Sequence, residues 1–127
     1  MNKFEFIKLP SGVTVVNSTP HPITFMSEED NTVITVLSSC IINATVKETV
    51  VKSVNGIDFV KSTFVGSEEG AEIIEQIHAI NPEALIIGSI IAAQAFPGLV
   101  VGMTPCKGFE RKPPTEKRMS TTKFTIF

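Results

Sequence analysis

Residues 85–101, LIIGSIIAAQAFPGLVV, carry no charge, and only Ser89 and Gln94 are polar among them. A helix rises about 1.5 Å per residue, so the run falls just short of a bilayer's apolar thickness. Gly88 and the Pro97-Gly98 pair break it further, which argues against a membrane span. The pattern predicts a short strand over residues 85–87, a compact helix over 89–96, a turn at Pro97-Gly98 and a strand over 99–103. A segment this apolar is stable in water only with other elements on several sides. The rest of the chain must wrap it, within one subunit or across a subunit interface.

A length of 127 residues suits a single domain, 1–127, able to bury a core without disulfides. Hydrophobic residues at 43% and charged residues at 19% argue against disorder. Cys40 and Cys106 form no spaced metal motif, and Lys3 and Glu5 interrupt any apolar run at the N-terminus. Both cysteines are therefore expected as reduced thiols in a cytosol. Charge is uneven along the chain. Residues 107–127 hold six basic and two acidic residues, a local +4, whereas residues 1–106 hold five basic and eleven acidic, a local −6. Such a basic C-terminal segment suits an anionic partner or a solvated tail.

Several elements follow from local pattern. Strands are expected over residues 3–9, 13–17, 23–26 and 32–37. Residues 44–54 and 57–65 are rich in Val and Thr around Asn55-Gly56, the strongest short hairpin signal, because both turn residues take positive φ. A helix is expected over residues 67–80, with Ser67 as N-cap and Ile73, Ile74, Ile77 and Ile80 as its buried stripe. Asn81-Pro82 ends it. One helical turn is expected over residues 115–119, and a final strand over 121–127. The whole reads as α+β: an antiparallel, meander-like sheet of six to eight strands, one amphipathic helix and a short second helix.

Chemistry-bearing motifs are few. The glycines never fall into GxGxxG or GxxxxGK[ST], and His21 and His78 are the only histidines, so neither a cofactor nor a metal is expected. Glu68, Glu69, Glu72 and Glu75 read as a solvated helix face. A thiol nucleophile would need a base, which His21 could give Cys106 only through the tertiary fold. Two constellations remain. The first is Thr19-Pro20-His21-Pro22, whose prolines fix two φ angles and make a stiff loop presenting Asn17, Thr19 and His21, either for binding or simply as a shaped turn between strands. The second spans residues 107–118, where Lys107, Arg111, Lys112, Lys117 and Arg118 are interleaved with Phe109 and a diproline. An arginine fork suits phosphate and a phenylalanine can stack on a base, which fits a nucleotide better than duplex DNA. Gln94 reads either as a satisfied buried polar group near a helix end or as a further candidate, an amide offered from inside the apolar run.

Three segments also carry a resemblance. Residues 17–23 (NSTPHPI), 88–98 (GSIIAAQAFPG) and 108–119 (GFERKPPTEKRM) resemble the patterns NxTPHxI, GSxIAAQA[FY]PG and GFERxPPxEKRM of small phage and prophage proteins. Part of that group resembles the viral Thoeris anti-defence sponges, which bind cyclic ADP-ribose isomers or cyclic oligonucleotides without cleaving them. The resemblance implies a non-enzymatic, homo-oligomeric binder of a cyclic nucleotide immune signal, with Arg111, Arg118 and Phe109 in its pockets. Residues 27–84 carry none of these motifs. The other reading is a phage structural or protein-interaction module that assembles through residues 85–101. Either way, exposing those residues on a monomer would leave a large apolar patch, so a dimer or a multiple of dimers is expected.

Overall fold

The computed structural model describes residues 4–127. Nine strands and two helices follow one another as β1 (Ile7–Lys8), β2 (Thr14–Asn17), β3 (Ile23–Met26), β4 (Val33–Val36), β5 (Ala44–Val54), β6 (Ile57–Gly66), α1 (Glu68–Ile80), β7 (Leu85–Ile87), α2 (Ile90–Ala95), β8 (Val100–Pro105) and β9 (Met119–Thr125). Seven strands form one sheet in the order β1-β2-β7-β8-β9-β3-β4, and β5 pairs only with β6.

The expected antiparallel meander is corrected here. The sheet is mixed: β2, β7 and β8 run parallel to one another, as do β3 and β9, whereas β1–β2, β8–β9 and β3–β4 are antiparallel. The physical reason lies in residues 85–101. Parallel neighbours need a crossover of about a dozen residues, and the chain from Gly88 to Leu99, with α2 at its centre, supplies one between β7 and β8. Strands buried on both faces read as unbroken apolar runs rather than alternating ones. Ile86 and Val100 point to one core, while Ile87 and Val101 point to the other.

Two cores result. One draws residues from all seven strands, with Val15, Ile23, Phe25, Val36, Ile87 and Val101 at its centre. The sheet curls around it like a barrel: at the end of β2, Asn17 Nδ2 donates to the carbonyl of Val36 at the end of β4, although four strands separate the two in the sheet order. The second core lies on the outer face of β2, β7 and β8, where Val16, Ile86 and Val100 meet Ile74 and Ile77 of α1 and Ala92, Ala93 and Phe96 around α2. The apolar run is thus absorbed largely within one subunit. Of its large apolar side chains only Ile90, Ile91 and Leu99 remain exposed, so it does not supply the broad patch expected of it.

Local signals explain the element ends. Ser67 and Ser89 cap the two helices, accepting from the amides of Gly70 and Ala92 at 3.0 and 3.1 Å. Asn55 and Gly56 both have positive φ, at 51° and 77°, as the hairpin turn demands. Three expectations need trimming. The strand expected over residues 3–9 is only Ile7–Lys8 (Lys3 lies outside the described residues), because Phe4 and Phe6 turn into the helix-side core. Residues 114–116 form a turn rather than a helical one over 115–119. The last strand ends at Thr125, leaving Ile126 and Phe127 exposed.

Candidate functional site

The loop leaving β2 is rigid for reasons beyond its two prolines. Asn17 is not presented by the loop as expected from sequence: it is fully buried, and all four of its side-chain hydrogen-bonding positions are used within the fold. Its Nδ2 donates to the carbonyls of His21 and Val36 at 2.7 and 3.0 Å. Its Oδ1 accepts the Thr19 amide at 2.9 Å and the Thr19 hydroxyl at 2.7 Å. Ser18 donates both its amide and its hydroxyl to the Ile87 carbonyl at the end of β7, at 2.8 and 2.6 Å. Ser38 Oγ donates to the Thr19 carbonyl. This network fixes the backbone on both sides of Pro20 and leaves the His21 side chain exposed at the carboxyl end of the parallel strands.

A cleft of about 380 Å³ opens beside it. It lies where the carboxyl ends of β2, β7 and β8 meet the beginnings of β3 and β9, the position at which open α/β sheets commonly take ligands. Residues 19–24 form one wall. Ser89 enters from the start of α2, Met103 from β8, and Pro114, Lys117 and Met119 from the C-terminal segment. Ile23 is buried and Met103 and Met119 are half-buried, so the inner surface is apolar and adaptable. Thr24, Ser89, His21 and Lys117 supply a few polar groups around it. A mostly apolar hollow of this size with sparse polar groups is the usual form of a small-molecule site.

Of the residues singled out from sequence, the fold brings Thr19, His21 and, from the basic segment, Lys117 to this cleft and leaves the others elsewhere. Gln94 is exposed on α2 and does not line it, because the buried side of that helix is taken by Ala92 and Ala93. Arg111 and Lys112 are exposed in the turn after Phe109, which is itself half-buried. Arg118 is half-buried; its Nη1 donates to the Lys117 carbonyl at 3.4 Å, and its own carbonyl accepts the Cys106 amide at 2.8 Å. Lys107 and Lys123 border a separate hollow with Glu28 and Glu110, so acidic residues partly offset the basic tail there. Both oxygens of Glu110 accept the Gly108 amide, and its own backbone amide and that of Gly108 hold its carboxyl below the usual carboxylate range. Ser89, Met103, Pro114 and Met119 escaped residue-by-residue reading because none bears a distinctive group. Three of the four nonetheless lie inside the segments that carry the resemblance.

Cys106 is fully buried, and its thiol donates to the Met26 carbonyl at 3.4 Å. Burial, and secondarily the charge of Glu28, pushes its pKa up. The thiol therefore stays protonated at neutral pH, the opposite of an activated nucleophile. Among the described residues no group of three His, Cys, Asp or Glu side chains is placed to share a metal ion. No helix among them is long and apolar enough to cross a membrane.

Together these features define a mixed α/β protein with a curled, strand-rich sheet and a ligand-sized cleft at one end of it. No family model matches the chain, and no curated protein or solved structure is detectably similar to it.

Proposed function

We propose that the protein binds a small anionic, ring-bearing ligand in the cleft beside His21 and holds it without chemical change. The ligand suggested by the resemblance is a phosphate-bearing cyclic nucleotide immune signal of the cyclic ADP-ribose or cyclic oligonucleotide type, and the role is anti-defence sequestration in a host cytoplasm. One observation carries this reading: the three segments of the resemblance, scattered over a hundred residues of sequence, each give side chains to a single cleft. Ile23, Met103 and Met119 offer an apolar bed for a base. Lys117 offers a point charge to a phosphate, and His21 a ring and a hydrogen bond. Sequestration requires only tight, slowly released binding.

Thermal denaturation against a panel of cyclic ADP-ribose isomers and cyclic di- and trinucleotides, with linear ADP-ribose and ATP as controls, tests it. A ligand at a hundred times its Kd stabilises by about 2.7 kcal/mol, a rise of several degrees, and is expected to be recovered intact. A flat panel would favour the second reading, a structural or interaction module. That reading draws on the exposed apolar side chains of β5 and β6.

A further inference from the structure

Among the described residues the β5–β6 hairpin pairs with no other strand. Eleven residues at about 3.3 Å each make it an arm some 35 Å long. It is fastened at its base, where Gly66 lies against the Phe96 ring. Beyond that base its side chains are exposed on both faces. A lone two-stranded hairpin is marginal in water, and this one displays eight large apolar side chains at 40–68% exposure. Summed over the two faces their area is several hundred Å², the size of the largest patches found on monomers.

The register sorts these side chains by face, since directly opposed residues project to the same side. One face carries Val46, Val50 and Val60 with Glu48 and Asp58. The other carries Val54, Ile57 and Phe59 with Lys47, Lys52 and Lys61, and the Lys52 ammonium sits 5.4 Å from the centre of the Phe59 ring. All charge on the first face is negative and all charge on the second is positive, with apolar surface on both.

We infer that the arm is a self-assembly element in which the acidic face of one copy packs on the basic face of the next. Like-with-like packing, as in a two-fold dimer, would set Glu48 and Asp58 against their own copies and leave the other face wet. Packing unlike faces buries both and uses the charge complementarity of the chain with itself. Such a contact is heterologous, so it builds assemblies of three or more copies.

Sedimentation velocity of the full chain at tens of micromolar tests this. The expected particle is at least three times the 13.8 kDa protomer. Lys47→Glu with Lys61→Glu leaves both faces net acidic, and Glu48→Lys with Asp58→Lys leaves both basic. Each pair is expected to shift the chain to monomer, with at least a tenfold weaker association. All four exchanges together invert both faces and are expected to restore the wild-type mass. These positions are exposed, so unchanged circular dichroism is expected throughout. A wild-type monomer, a closed dimer, or charge pairs that leave the mass unaltered would overturn the inference.

Discussion

At the scale of single residues, Asn17 matters most to the shape of the cleft wall. No charge or aromatic group marks it, yet it holds the backbone of residues 19 and 21 and the end of β4 together. Asn17→Ala leaves two carbonyls, an amide and a hydroxyl to find other partners. Each buried group left unmade costs about 1–3 kcal/mol, so we expect a loss of at least 2 kcal/mol in urea unfolding. We also expect loss of ligand-induced stabilisation even where the fold survives. Cys106 makes a second prediction. Its folded-state pKa is raised, so the native thiol keeps a proton that the unfolded chain releases at alkaline pH. The associated stability is fully present below the ordinary thiol pKa of about 8.5 and is lost as pH rises through and beyond it. Urea midpoints taken between pH 7.5 and 10 should fall more steeply for wild type than for Cys106→Ala. A thiol reagent should modify half-exposed Cys40 well before Cys106.

At the scale of elements, Phe96 joins three parts of the molecule. It terminates α2, and its ring rests on Gly66 at the base of the arm and on Gly70 in the first turn of α1. Gly70→Ala ought to gain about 1 kcal/mol of helix propensity. A Cβ there would lie 2.8 Å from Phe96 Cζ and 2.9 Å from the capping hydroxyl of Ser67. Overpacking of this kind costs about 1–3 kcal/mol, so the variant is expected to be less stable than wild type in thermal melts. In a Phe96→Ala background most of that cost should vanish, because the ring that causes it is gone. This is also the scale at which the sequence was most legible. The Asn55-Gly56 turn, the Ser67 cap, Ile73, Ile74 and Ile77 of the α1 stripe and the strands at residues 23–26, 44–54 and 85–87 all stand where local pattern places them, whereas Ile80, expected to complete the stripe, is exposed in the last turn of α1. Pairing was not legible, since parallel or antiparallel contact is set by tertiary packing across many residues. The near-continuous apolar text of β7 and β8 did carry a parallel signal, and the meander expectation passed over it.

At the scale of the whole molecule, the sheet brings distant segments to one end. Residues 17–24 leave β2, Ser89 leaves β7, and residues 114–119 enter β9, so the cleft is assembled from pieces that no local reading joins. Thr19 and His21 were legible as a stiff presenting loop. Lys117 was visible only as one cation among several, and the weight placed on Arg111, Arg118 and Gln94 followed side-chain chemistry without knowledge of where the chain turns. The decisive measurement is titration calorimetry with the cyclic nucleotide that gives the largest thermal shift, comparing wild type with Lys117→Ala, His21→Ala and Arg111→Ala. The cleft account predicts at least a tenfold loss of affinity for the first two and near-wild-type binding for the third. Undiminished binding by Lys117→Ala and His21→Ala, with loss in Arg111→Ala, would contradict it and move the site to the basic turn.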